Sequence, residues 1–210
     1  KELECIDLGW PARSVAWHPT GMALAVGFHE KVKGGHKAGK GKGKGKKVTA
    51  SKSDASPHVG SIHVYSVFMP DSNQCVLTKR AQGCRSVAWI GDIKFNHEGN
   101  ILAAGSHDKH MYAYNVPSQI SVSDVQNKGE WEDWNKSLGS KPKFDYNKHS
   151  SAVLHFDFSL DGKYWQSNCQ ASELLFGHAD TGQQETSATK LADYNGQLDD
   201  NPEHEGQVWG

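Results

Sequence analysis

The chain has 210 residues, of which 36% are hydrophobic, and its formal net charge is −1 with the histidines neutral. No apolar run approaches the roughly 18 residues that span a bilayer, and the chain does not open on a signal-peptide pattern, so a membrane role is not predicted. The four cysteines include no C-x-x-C pair, which indicates reduced thiols in the cytosol and argues against a zinc knuckle or a disulfide framework.

The first predicted unit, residues 14–83, follows a lead-in of residues 1–13 that we assign to the outer strand of a preceding sheet. Short runs of alternating apolar and polar residues, separated by turn residues, are typical of antiparallel sheet. Its four predicted strands are Ser14–His18, Ala23–Phe28, Ser61–Val67 and Gln74–Arg80. We therefore expect a small antiparallel sheet with one long interruption.

That interruption is an insertion at residues 30–60, where a hairpin loop needs about 2–5 residues. Lys31–Lys47 holds eight lysines and no acidic residue, so removing these charges from the overall −1 leaves −9 on the rest of the chain. Glycines and mutually repelling lysines predict a disordered, solvated segment. A sharper hypothesis is that the segment binds an acidic polymer through Lys37, Lys40, Lys42, Lys44, Lys46 and Lys47. Nucleic acid is the weaker candidate, because no aromatic residue interleaves these lysines to stack on bases.

The second unit, residues 84–148, contains the clearest repeat. Its predicted strands are Asp92–Phe95, Ile101–Ala104 and His110–Val116. The first unit matches it at a constant offset of 78 residues, which pairs Trp17 with Phe95, Gly21 with Gly99, Gly27 with Gly105, and His29 with His107. So many matches at one offset indicate an internal repeat. A sheet this small cannot bury both of its faces, so it needs neighbours of the same kind.

Residues 117–148 of the second unit are interpreted as another insertion. The acidic and aromatic stretch Glu130–Trp134 carries two tryptophans three residues apart, at Trp131 and Trp134. This spacing is compatible with one helical turn or with a peptide that docks on a partner. We favour the interpretation that the two tryptophans cover a nearby hydrophobic edge.

The third unit, residues 149–190, matches the second at an offset of 63, which pairs Phe158 with Phe95 and Gly162 with Gly99. Its sequence has diverged from that of the second unit, because Asn168 occupies the position that matches Gly105. Its predicted strands are Ala152–Ser159, Lys163–Asn168, Ser172–Phe176 and Gln183–Thr189. Residues 191–210 break the pattern, and we expect an irregular tail there.

No catalytic constellation is visible. The chain has twelve histidines, but none falls in an H-E-x-x-H pair. The nearest clusters, His107 with His110 and His29 with His36, lie on predicted turns or beside the predicted disordered segment. No nucleophile elbow, Walker loop or dinucleotide-binding glycine motif is present. We therefore predict no enzymatic activity, no cofactor, no metal and no small-molecule substrate.

Three stretches resemble, in order, the WD-repeat β-propellers of the echinoderm microtubule-associated protein-like family. They are Ala12–Phe28, Asp92–Val116 and His149–Gln183. The resemblance implies an all-β tandem propeller scaffold that binds tubulin or microtubules, with the acidic tails of tubulin as the polymer for the lysine segment. It also implies a location in the cytoplasm and cytoskeleton, often in the axoneme of a cilium or flagellum. A closed propeller needs about four to eight blades, so we expect about three visible blades of an incomplete ring, a fragment of a larger protein.

The resemblance is incomplete at the dipeptide that names the family. Tyr65-Ser66, Tyr114-Asn115 and Gly177-His178 stand where Trp-Asp is expected. The family's buried relay from histidine through aspartate to tryptophan is therefore expected to be incomplete, with His107, Asp108 and His149 still holding turns.

The leading functional hypothesis is a non-enzymatic scaffold that binds tubulin or other microtubule-associated and axonemal proteins, with no membrane partner. One alternative is a propeller-fold, metal-dependent enzyme in which histidines of several blades meet in the central channel. The other is a nucleic-acid adaptor that uses the lysine segment.

Overall fold

The computed structural model describes residues 7–8, 11–29, 60–71, 73–84, 86–126 and 131–186. Within them the chain forms three four-stranded antiparallel sheets and two short helices. None of the described helices has the length and apolar character needed to cross a bilayer. The predicted all-β class is confirmed, and most of the lead-in, nearly all of the first insertion and the tail lie outside the described residues.

The first sheet has the strand order β1-β2-β3-β4. Its strands are β1 (Ala12–Trp17), β2 (Ala23–His29), β3 (Gly60–Asp71) and β4 (Gln74–Gly83). Each strand pairs with the next along the chain. The insertion therefore interrupts the connection between two directly paired strands, β2 and β3, without displacing either from the sheet.

The second sheet repeats this order with β5 (Ile90–Phe95), β6 (Ile101–Ser106), β7 (Met111–Asn115) and β8 (Phe144–Tyr146). Helices α1 (Val122–Gln126) and α2 (Glu132–Gly139) lie between β7 and β8. The stretch interpreted as an insertion thus contains the fourth strand of the sheet. Three residues are too few to show an alternating pattern, so the sequence alone did not reveal β8.

The third sheet comprises β9 (Val153–Phe158), β10 (Tyr164–Cys169), β11 (Leu174–His178) and β12 (Gln184–Glu185). Its outer strand is shorter than the predicted Gln183–Thr189, of which the last three residues lie outside the described part of the chain.

The first hairpin of each sheet has the same register. Trp17 faces Leu24, Phe95 faces Leu102, and Phe158 faces Trp165. The turns are also equivalent, because Gly21, Gly99 and Gly162 have φ values of +73°, +73° and +70°, a region that side chains with a Cβ rarely adopt. The offsets seen in the sequence therefore correspond to a repeated backbone geometry.

Successive sheets pack through their first strands, β1 against β5 and β5 against β9. Gly27 of β2 and Gly105 of β6 lie beside these contacts and face the next sheet. A Cβ on Gly27 would lie 2.6 Å from Ile90 Cγ2, and one on Gly105 would lie 2.9 Å from Val153 Cγ1. The three sheets are the blades of an open, incomplete ring.

Helix α2 covers the outer edge between the first two blades. Trp131, Trp134 and Leu138 are each at most 2% exposed and belong to the core shared by those blades. The Trp134 ring lies 6.1 Å from Phe95 and 6.0 Å from His18. The structure confirms that the tryptophans cover a hydrophobic edge.

Candidate functional site

Trp89, which immediately precedes β5, is surrounded by side chains from both of the first two blades. The guanidinium carbon of Arg13 lies 4.2 Å from the centroid of its ring, and the rings of His107 and His29 lie 4.5 Å and 5.0 Å away. A cation over an indole face is attracted by the ring quadrupole. We call Arg13, His29, Trp89 and His107 the Trp89 rim. Two matched repeat positions, His29 and His107, thus meet on a single tryptophan.

The Trp89 rim lies at the base of the lysine-rich insertion. His29 ends β2 and pairs with Gly60, the first residue of β3. The backbone beside Trp89 approaches so closely that a Cβ on Gly60 would lie 2.0 Å from the carbonyl oxygen of Ala88. The insertion therefore leaves and rejoins the first blade at this rim. The lysines predicted to bind an acidic polymer lie outside the described residues.

Arg13 contributes a positive charge to the rim, directly over the Trp89 ring. Burial lowers the pKa of His107, the Arg13 charge lowers it further, and Asp108 offsets part of the shift. His107 is therefore neutral at neutral pH, and its ring acts as an aromatic neighbour of Trp89.

Asp108 holds the turn between β6 and β7, as the sequence predicts. Its Oδ2 accepts hydrogen bonds from the Val87 amide at 2.9 Å, the Ser86 hydroxyl at 3.1 Å and the Tyr112 hydroxyl at 2.9 Å, and its Oδ1 accepts one from the His110 amide at 3.2 Å. Burial raises the pKa of Tyr112, and the Asp108 charge raises it further, so the phenol remains a donor. The blade thus uses a tyrosine and a serine where the relay expected from the resemblance has a tryptophan and a histidine.

The third blade holds the equivalent turn with different side chains. His149 Nε2 lies 2.7 Å from Ser167 Oγ, and Glu173 Oε2 accepts a hydrogen bond from the Ser150 amide at 2.9 Å. Cys169 Sγ lies 3.1 Å from the same carboxylate oxygen. The His149, Cys169 and Glu173 donor atoms all lie within 4.8 Å of one another, a set that could hold a metal ion. Sequence reasoning found His149 but missed Cys169 and Glu173, because the two are separated by a turn rather than by a motif spacing.

The inner strands carry a further contact that the sequence does not reveal. Lys94 of β5 forms an ion pair with Asp157 of β9, and Asp92 Oδ2 accepts a hydrogen bond from the Phe156 amide at 3.1 Å. These polar contacts connect the second and third blades along their first strands. No sequence motif marks them, because the partners lie more than sixty residues apart.

The remaining repeat positions are structural. Phe158 is 6% exposed and Phe95 is half-buried, whereas Trp17 at the matching position of the first blade is 57% exposed. Val15, two residues earlier on the same face of β1, is 61% exposed. The first blade therefore presents an apolar surface on its side away from the second blade.

Comparison with known proteins gives matches to repeat proteins of one kind. Residues 73–115, which run from β4 to β7, match the WD domain, G-beta repeat family. A 77 kDa echinoderm microtubule-associated protein of Lytechinus variegatus is 32% identical over 117 residues, covering 50% of this chain and 14% of that protein. The ciliary WD repeat-containing protein ctxp80 of Euplotoides octocarinatus is 31% identical over 88 residues, covering 42% of this chain and 9% of that protein.

Echinoderm microtubule-associated protein-like 4 of Xenopus laevis is 30% identical over 90 residues, covering 43% of this chain and 8% of that protein. The match thus spans only a small part of each curated relative. Among solved structures, the C-terminal WD40 domain of Sif2 superposes with a TM-score of 0.50 at 13% identity, covering 83% of this chain and 36% of that one. At an identity this low, the superposition shows only that the two chains share a fold.

Proposed function

Since this chain is a WD-repeat protein whose relatives are microtubule-associated and ciliary proteins, we propose that it is a non-enzymatic scaffold that docks on microtubules. The observation that carries the proposal is the Trp89 rim. It places Arg13 and two aromatic rings around an indole at the base of an insertion with eight lysines. A cationic and aromatic rim beside a lysine-rich segment is suited to an acidic, extended partner.

The binding partner in this proposal is tubulin, through its acidic tails, or a neighbouring axonemal protein. The lysine segment supplies long-range attraction, because Lys37, Lys40, Lys42, Lys44, Lys46 and Lys47 concentrate positive charge on a chain whose remainder is net negative. The Trp89 rim then supplies a contact site of fixed geometry for the bound partner. We place the protein in the cytoskeleton, in the axoneme of a cilium or flagellum.

The proposed blade boundaries follow the repeats: residues 14–83, 84–148 with the 117–148 segment, and 149–190. We propose that these blades are part of a larger propeller protein, with the exposed Val15 and Trp17 surface facing a further blade. The support for this is that both side chains are exposed, whereas Phe95 and Phe158, which match Trp17, pack in cores shared with the preceding blade.

The test is co-sedimentation with microtubules over a range of salt concentrations. A variant in which Lys37–Lys47 is replaced by a Gly/Ser segment of equal length should bind more weakly than the natural chain at low salt. The difference should shrink once the ionic strength exceeds about 0.1 M, where the screening length falls to about 10 Å. Replacing the uncharged stretch Val48–Ser51 in the same way is the control and should leave binding unchanged. Equal binding of the lysine variant at low salt would remove the segment from the mechanism.

A further inference from the structure

The turn networks of the second and third blades share three sequence positions but differ in chemistry. At the offset of 63, Ser86 corresponds to His149, Val87 to Ser150, and Ser106 to Cys169. In the second blade Ser86 Oγ lies 2.6 Å from Ser106 Oγ, and the Asp108 carboxylate binds the Val87 amide. In the third blade the Glu173 carboxylate binds the matching Ser150 amide. In the third blade an imidazole and a thiol therefore replace two hydroxyls, and a carboxylate still accepts a hydrogen bond from the matching backbone amide.

The replacement side chains are the ones that bind transition metals. Imidazole nitrogen, thiolate sulfur and carboxylate oxygen are the three ligand types of zinc in proteins, with bonds of about 2.0 to 2.3 Å. In a tetrahedral site such bonds place neighbouring ligand atoms about 3.3 to 3.7 Å apart. Here Glu173 Oε2 lies 3.4 Å from His149 Nδ1 and 3.1 Å from Cys169 Sγ, and all three atoms lie within 4.8 Å of one another.

One of these atoms has no hydrogen-bond partner. The His149 side chain is fully buried, and its Nδ1 makes no hydrogen bond, with only the loose 3.4 Å contact to Glu173. A buried polar atom normally has a partner, because leaving it unpaired costs free energy. Nδ1 points at the thiol and carboxylate, so a bound cation would supply the missing partner.

Neighbouring groups hold the proposed ligands in place. The Ser150 amide donates to Glu173 Oε2 at 2.9 Å, and Cys169 Sγ lies 3.1 Å from the same oxygen. Ser167 binds the other ring nitrogen of His149, Nε2, at 2.7 Å, as the outer partner of a metal-bound histidine does.

We propose that His149 Nδ1, Cys169 Sγ and Glu173 form a zinc(II) site in the third blade. The ion ties the segment before β9 to the β10–β11 turn, which is the connection that Asp108 makes in the second blade. Glu173 is 34% exposed, so the ion enters from the solvent side and keeps a fourth position for water or the second carboxylate oxygen. Binding displaces the thiol proton and leaves Nε2–H as the donor to Ser167.

The test uses the full chain, stripped of metal with a chelator and titrated with Co²⁺, which adopts zinc sites and reports sulfur ligation by a charge-transfer band. We expect one equivalent of Co²⁺ to produce this band and Zn²⁺ to displace it. Cys169→Ser should abolish the band, whereas the matched change Cys75→Ser should leave it intact. Absence of the band in the natural chain, or its persistence in Cys169→Ser, would overturn the proposal.

A second variant guards against a folding defect. His149→Ser combined with Cys169→Ser recreates the two hydroxyls of the second blade, so we expect it to fold and to bind no metal. Glu173→Gln should weaken Zn²⁺ binding at least about 10-fold, the lower limit seen when even an outer partner of a metal ligand is lost. In ¹⁵N nuclear magnetic resonance spectra, Zn²⁺ should shift the resonance of His149 Nδ1 and leave Nε2 protonated. Nδ1 that stays protonated in excess Zn²⁺ would show that the three side chains form only a hydrogen-bonded relay.

Discussion

Two glycines set how closely neighbouring blades approach each other. A side chain at Gly27 or Gly105 would overlap Ile90 or Val153 of the next blade, and both of those residues are at most 1% exposed. At the matching position of the third blade Asn168 is exposed, and its Oδ1 accepts a hydrogen bond from the His155 amide. The substitution that looks like drift in the sequence therefore lies where no following sheet packs within the described part of the chain.

Replacing Gly105 by alanine should destabilise the protein. The added Cβ would lie 2.9 Å from Val153 Cγ1, and overpacking of this kind costs about 1–3 kcal/mol of unfolding free energy. Urea unfolding would measure it as a lower midpoint at unchanged slope. Gly139→Ala is the matched control, because a Cβ there meets nothing within 4 Å. An equal effect of the two changes would show that blade packing is not limited at Gly105.

At the scale of single elements, helix α2 is held at the edge of the first blade by both apolar and polar contacts. The Asn135 side-chain amide donates to the Arg80 carbonyl at 2.8 Å, and a Cβ on Gly83 would lie 2.2 Å from the Leu138 carbonyl oxygen. Gly83 ends β4 and so allows the helix backbone to approach the strand. The helix is short, and the packing of its buried Trp134 and Leu138 provides stability that its intrinsic helix propensity does not.

Trp134→Ala should cost about 3–5 kcal/mol of unfolding free energy, the usual cost of removing a buried large aromatic side chain. The loss would open the contacts of Trp134 with His18 and Phe95, which join the first two blades. Trp17→Ala makes the same chemical change at an exposed position and should cost less than about 1 kcal/mol. Thermal unfolding followed by near-ultraviolet circular dichroism would compare them. Similar losses in both variants would contradict the assignment of Trp134 to the inter-blade core.

At the scale of the whole molecule, stability depends on the number of neighbours that each blade has. In stacked arrays each unit is stabilised chiefly by the units beside it. The second blade packs on both others, and every residue of its strand β6 is buried. The equivalent strand of the third blade, β10, has alternate buried and more accessible positions.

Amide hydrogen exchange should therefore be slowest in the second blade, which lies between the other two. We expect the amides of β6 to be better protected than those of β10, although the two strands have the same register with their preceding strands. Mass spectrometry of exchanged peptides would measure this difference. Equal protection of β6 and β10 would mean that the blades open as one unit rather than from the ends.

The sequence by itself determined the repeat, its offsets and the all-β class, because turn glycines and alternating strands are local features that each copy must retain. It also identified Asp108 and His149 as turn residues. Only the tertiary structure decided that β8 completes the second blade, that His29 and His107 meet on Trp89, and that Cys169 and Glu173 join His149. These contacts join residues on different strands and loops, and their side chains meet only after each blade has folded, so no motif spacing in the sequence marks them.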